Sequence, residues 1–122
     1  MAQEITTQFA LSYTKGSAYQ NIPSRTVYID SLTNTKVGGT QIVGTTHELL
    51  ILNDVASCGA GYFNNTDVTN YVEIGVVVAA VFYPLITIPA GQWAFVPRLA
   101  TTSIYAKANT AAINLDYVIF SQ

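Results

Sequence analysis

His47 is the only histidine in the chain and Cys58 the only cysteine. Neither finds a second residue of its kind, which excludes paired imidazoles, a His-rich metal site and a thiolate cage. A Ser–His–Asp triad on His47 is arithmetically available, but no nucleophile elbow accompanies it and the serines sit in turn-like settings. His47 reads instead as a partly exposed strand residue. Cys58 precedes Gly59 and has no cationic neighbour in sequence to favour a thiolate, so it reads as a small buried hydrophobe. Glu48 and Glu73 lie inside apolar stretches and are the candidates for paired carboxylates across a cleft. The plainer expectation is that each is held by a cation, Arg25 or Arg98, within the domain or across a subunit boundary. No Gly-rich loop opens a helix, and Asp54, Asp67 and their Asn neighbours lack calcium-loop spacing. Asn64-Asn65-Thr66 matches a glycosylation acceptor in letters but reads as a turn. The chain is therefore expected to be non-enzymatic, with no catalytic residue, metal or cofactor.

What remains is a surface that binds. Tyrosine is frequent, at positions 13, 19, 28, 62, 71, 83, 105 and 117. Exposed tyrosine offers a large contact area at low ordering cost, although it is also an ordinary strand residue. Tyr13, Tyr19, Arg25, Tyr62, Asn64, Asn65, Trp93 and Arg98 form the expected interface set. Trp93 with Phe95 is the one compact aromatic platform. It follows a tight turn that could bring it to a rim, whereas strand alternation places it in the core.

The elements that must position these residues are strands. Half of the 122 residues are apolar, yet only 10% are charged, against about a quarter in an average soluble protein. Thr, Ser, Asn, Gln and Tyr replace the missing charges, a coat that suits β-structure and also suits permanent packing against neighbours. The net charge of −2, with five scattered basic residues, gives no phosphate-neutralising patch and no polybasic membrane segment. Neither nucleic acid nor membrane is an expected partner. Met1-Ala2-Gln3-Glu4 opens without a basic, then apolar, stretch, so synthesis in a cytoplasm is expected. The longest apolar run, Val76 to Tyr83, stops at Pro84 and reads as a buried strand.

Period-2 alternation begins at once. Ile5, Thr7, Phe9, Leu11 and Tyr13 fall on one face of a long strand that ends at Lys15-Gly16-Ser17. Residues 1–8 are also a candidate extended arm that adds to a neighbour's sheet, unless they pair inside their own. Further strands are expected at 26–30, 48–52, 59–63, 71–80, 83–88, 93–96, 103–108 and 113–120, with a polar loop or loose hairpin over 31–40. The continuous Leu49-Leu50-Ile51-Leu52 run reads as a central strand, closed by Asn53-Asp54. Leu49, Ile51, Ile74 and Val76 are expected in the core. Asn64-Asn65-Thr66-Asp67 and Pro89-Ala90-Gly91-Gln92 read as turns, the latter with a positive φ at Gly91. Asn109-Thr110 reads as a hairpin turn. No window shows helical spacing, so the sheets must be antiparallel. The expected fold is all-β: one antiparallel two-sheet sandwich over 1–122, of jelly-roll type.

From residue 48 onward the order of segments carries a resemblance. An Asn-rich turn leads into Tyr71-Val72-Glu73-Ile74-Gly75, and a strand into Pro89-Ala90-Gly91-Gln92 precedes Trp93-Ala94-Phe95-Val96-Pro97. Ile104-Tyr105-Ala106-Lys107-Ala108 and Leu115-Asp116-Tyr117-Val118-Ile119-Phe120 follow. This pattern resembles small β-sandwich structural proteins of tailed bacteriophages, above all capsid decoration or cement proteins. The resemblance implies a homotrimer on the capsid surface of a virion, bound to the major capsid protein and made in a bacterial host's cytoplasm. A phage tail or fibre recognition module, or a carbohydrate-binding sandwich, is the alternative. A small β-sandwich enzyme or ligand-binding barrel is a third reading, which would need a polar cluster around His47.

Overall fold

The computed structural model describes residues 3–31, 35–53 and 55–122. They form ten strands and no helix. The strands divide between two compact units, Met1–Leu32 and Thr33–Gln122, where the sequence reading placed a single sandwich over the whole chain.

The first unit is a two-stranded antiparallel ribbon of β1 (Ile5–Lys15) and β2 (Ala18–Ile29). Gly16-Ser17 closes it. Ile5 pairs with Ile29 and Gln8 with Thr26, so residues 5–8 of the expected arm are paired inside their own ribbon. Met1 and Ala2 of that arm lie outside the described residues. The strand expected from residue 26 in fact begins at Ala18 and runs through Pro23. Between Phe9↔Arg25 and Leu11↔Ile22 the register shifts, β2 taking one more residue than β1. Pro23 and Ser24 occupy that bulge, a position where a missing ladder N–H does no harm.

The second unit is the sandwich. Its strands are β3 (Lys36–Val43), β4 (Glu48–Leu49), β5 (Cys58–Asn65), β6 (Val72–Val78), β7 (Val81–Ile88), β8 (Trp93–Val96), β9 (Tyr105–Ala108) and β10 (Ile113–Ser121). One sheet has the order β3-β10-β5-β8 and the other β4-β9-β6-β7. The ladders β3·β10, β4·β9, β5·β8 and β6·β7 are those of one long hairpin folded at Ala79-Ala80. Rolling that hairpin adds β10·β5 and β9·β6 and divides the strands between two sheets. This connectivity is the jelly roll.

The interior lies between the two sheets. Phe63, Leu115, Ile119, Val43, Val72, Leu50 and Ile88 are fully enclosed there. On β10 the alternation is complete: Ile113, Leu115, Tyr117 and Ile119 point inward and their neighbours outward. Gly75 is required by a close approach. A Cβ there would lie 2.1 Å from the Tyr83 carbonyl oxygen, where β7 bulges against β6 at Ile74/Gly75. Gly91 has φ +72° and Gln92 N–H donates to Pro89 C=O at 3.1 Å, as the turn reading required.

Several local expectations are corrected. Where a polar loop or loose hairpin is expected over 31–40, residues 36–43 form an edge strand on β10; 32–34 and Asp54 lie outside the described residues. The 48–52 run is a two-residue edge strand, with Leu49 and Ile51 exposed and Leu50 buried, one residue out of the expected register. Of the four expected core residues, Ile74 is buried and Val76 half-buried. Beyond the Leu49↔Tyr105 pair and the Leu50 N–H donated to Ile104 C=O, segment 49–51 is tied down by side chains. Gln41 Nε2 donates to Leu49 C=O, Ile51 N–H donates to Gln41 Oε1, and Tyr117 O–H donates to Ile51 C=O. Asn64 and Asn65 extend β5, so the turn falls after them. The Asn109-Thr110 link is a crossover, because β9 and β10 belong to different sheets.

Candidate interaction surfaces

His47 stacks on Phe82 (centroids 5.9 Å apart, planes 8° apart) and meets the edge of Tyr105 at 5.8 Å. The ring is half-buried between aromatic neighbours. Cys58 is buried, and the loss of solvent pushes its thiol above the ordinary value, the inert direction. Glu48 accepts the Gly44 N–H, closing the β3–β4 loop. Glu73 lies opposite Lys107 in the β6·β9 ladder, a cross-strand neighbour of opposite charge. Among the described residues no group of three or more His, Cys, Asp or Glu side chains is placed to hold a metal ion.

The expected interface residues divide into three places. Tyr13, Tyr19 and Arg25 lie on the ribbon and are all exposed. Tyr13 shares a face with Ile5, Thr7, Phe9 and Leu11 and with their partners Ile29, Val27, Arg25 and Ile22. Tyr19 lies on the opposite face, paired with Thr14. One face of the ribbon is thus apolar and the other carries Thr6, Gln8, Ser12, Thr14 and Asn21 with Tyr28 and Tyr19.

Tyr62, Asn64 and Trp93 form a second group, on the outer face of the β3-β10-β5-β8 sheet. Asn64 pairs with Trp93 and Tyr62 with Phe95, and the Tyr62 and Trp93 rings lie 6.3 Å apart at 37°. Trp93 is 58% exposed, against the core position that alternation suggested. The reason is that Ala94 and Val96 are the β8 residues packed on the core, so the aromatic residues take the outer face. Beside this platform Asp116, the partner of Asn64 in β10, accepts the Thr40 hydroxyl.

Arg98 is the third place. It is exposed and lines the rim of an apolar cavity of about 380 Å³ whose walls include Phe63, Ile74, Ile86, Val96 and Ile104.

Asn65 is corrected outright. It has no exposure at all and cannot meet a partner. Its Nδ2 donates to the carbonyls of Asn70 and Ile88 at 2.8 and 3.1 Å, and its Oδ1 accepts the Asp67 N–H at 3.0 Å. The side chain therefore locks the β5–β6 loop to the end of β7. Two residues after buried Phe63, its inward position follows from alternation; its Asn-rich surroundings hid that signal. Asp67 completes the loop by accepting the Thr69 and Asn70 N–H groups, which hold its carboxyl below the usual aspartate value.

Comparison with protein-family models, curated proteins and solved structures finds no match. The class stands on the fold itself: an eight-stranded jelly roll preceded by an amphipathic β-ribbon.

Proposed function

We propose that this chain is a non-enzymatic virion structural protein: a homotrimeric capsid cement or decoration protein that bridges subunits of the major capsid protein on a phage head. The observation that carries the reading is the exposed apolar surface of the ribbon. Phe9, Leu11, Tyr13, Ile22 and Val27 share one face at 39–50% exposure. A contiguous patch of this kind on a free monomer marks an interaction site. The low charge of the chain, 10%, supports permanent contacts, because few ions need to be desolvated when such surfaces meet. A clamp on a pressurised shell gains from many shape-matched contacts and needs no chemistry.

The test is mass spectrometry of purified virions, with copy number set against the major capsid protein. Hundreds of copies per particle are expected. A handful would place the chain in the tail, and none would contradict the virion role.

One observation favours a second reading, a recognition module for glycans. Exposed Trp93 and half-buried Tyr62 present an aromatic pair beside Asn64, Asp116 and Thr40, and sugars stack on such rings while polar neighbours fix their hydroxyls. Glycan-array binding that is lost in Trp93→Ala would favour this reading over the cement role.

A further inference from the structure

We propose that the cavity at Arg98 is a binding site for a fatty carboxylate, its alkyl chain held between the two sheets and its headgroup on the Arg98 guanidinium. The site lies wholly within the jelly roll and does not depend on the ribbon or on the virion role.

The walls select hydrocarbon. Phe63, Ile74 and Ile104 form the floor and are buried, and Leu99 closes one side. Leu85, Arg98 and Ala100 are exposed and form the mouth. β7 and β8 are the outer strands of their sheets, and among the described residues no hydrogen bond joins the two. At the opposite edge, by contrast, Gln41 of β3 bonds the backbone of Leu49 in β4 and of Ile51. The bulge in β7 shapes the entrance. Ile74 pairs with Ile86 and Gly75 with Pro84, so Leu85 is the extra residue and stands 71% exposed. The volume, about 380 Å³, sets the size of the guest. An apolar cavity of about 150 Å³ holds benzene, so this one takes roughly a dozen carbon atoms. Water against such walls is displaced favourably by an alkyl chain.

The mouth selects the headgroup. Arg98 is the single charged residue lining the cavity, and among the described residues it has no ion-pair partner. Thr101 lines the same cavity. Its hydroxyl oxygen accepts the Ser103 N–H at 3.1 Å, which leaves its own hydrogen to donate. A guanidinium fork and one hydroxyl match a planar, singly charged carboxylate, whereas a phosphate dianion calls for more positive charge. The segment that carries both groups is fixed in advance. Leu99 N–H donates to Gly59 C=O at 2.8 Å, and the Leu99 side chain is seated so closely on Gly61 that a Cβ there would lie 2.8 Å from its Cδ1.

The experiment is isothermal titration calorimetry of the full chain with dodecanoate at pH 8, below its micelle concentration. Hexanoate shortens the chain, dodecyltrimethylammonium reverses the charge and dodecyl phosphate adds to it; all three are titrated alongside. Methyl NMR locates the site, through shifts at Ile74, Ile86 and Ile104 set against Leu11 and Ile22 of the ribbon. The expected result is one dodecanoate per chain with shifts in the cavity, and binding about five- to tenfold weaker in Arg98→Gln. Hexanoate, dodecyltrimethylammonium and dodecyl phosphate should each bind more weakly than dodecanoate. Arg98 is exposed, so Arg98→Gln should keep the fold, which unchanged Trp93 emission checks. Absence of dodecanoate binding, or shifts confined to the ribbon, overturns the site. Undiminished binding to Arg98→Gln overturns the headgroup contact, as does dodecyltrimethylammonium or dodecyl phosphate binding as tightly as dodecanoate. Hexanoate binding as tightly as dodecanoate overturns the seat of the alkyl chain.

Discussion

The ribbon and the jelly roll are written in the same sequence grammar and reach opposite fates. In β10, Ile113, Leu115, Tyr117 and Ile119 alternate with polar or half-buried neighbours, and the apolar set is buried. In β1, Ile5, Phe9, Leu11 and Tyr13 alternate as cleanly, and Phe9, Leu11 and Tyr13 are 40–50% exposed. Alternation specifies a face; only the fold, or a partner, supplies what covers it. The jelly roll covers its own faces by rolling one hairpin on itself, while two strands have no second layer to offer.

Leucine truncation in the two regions sharpens this contrast most. Leu115→Ala should cost about 3–5 kcal/mol, because Leu115 is fully enclosed between the sheets. Leu11→Ala should cost less than about 1 kcal/mol in a dilute, dissociated sample, where its site is already wet. Urea unfolding measures both, followed by Trp93 fluorescence for Leu115→Ala and by amide hydrogen exchange of the ribbon for Leu11→Ala; equal costs would erase the distinction between the regions.

Asn65→Ala should follow, at about 2–4 kcal/mol, because it strands the carbonyls of Asn70 and Ile88 and the Asp67 N–H without partners. Thermal unfolding of the jelly roll checks it, and a change below about half a kcal/mol would show that water replaces the amide. The turn at Ala79-Ala80 offers a gain. Both residues have positive φ, 51° and 65°, which a two-residue hairpin of primed type requires and alanine resists. Ala79→Asn with Ala80→Gly should stabilise the jelly roll by about 1 kcal/mol in the same assay, with no effect on the ribbon.

The smallest effect is on pH. The Asp67 carboxyl is held low chiefly by the Asn70 N–H and then by that of Thr69. Its contribution is therefore fully present above the ordinary aspartate value of about 3.9 and is lost as pH falls through the lower folded value. Melting temperatures of wild type and Asp67→Asn should converge as the pH is taken from 7 to 2. A constant gap would remove Asp67 from the account.

The all-β class and the antiparallel two-sheet sandwich were legible in sequence because alternation, turn residues and missing helical spacing all agree; the jelly-roll order of strands was not, because these signals do not fix which strands pair. β8, the turn at Gly91 and most of β10 were legible too. Register failed where alternation was silent: four consecutive apolar residues at 49–52 carry no period, and the Gln41 amide that fixes Leu49 and Ile51 acts from another strand, which no local pattern states. The core position for Trp93 failed because alternation over four residues defines two faces without saying which is inward, and Ala94 and Val96 are the residues packed on the core. Asn65 was misplaced because its type argued for a turn more loudly than its spacing from Phe63 argued for the core. That β1 and β2 form a compact unit of their own was not legible, since their alternation does not differ from that of the other strands.

The most direct test of the central claim, that this face is an interface, is amide hydrogen exchange at two protein concentrations. At high concentration the amides of Ile5–Tyr13 and Ile22–Ile29 should be protected, and dilution should release them while β5 and β10 stay protected throughout. Ribbon amides that exchange at the same rapid rate at both concentrations would contradict it.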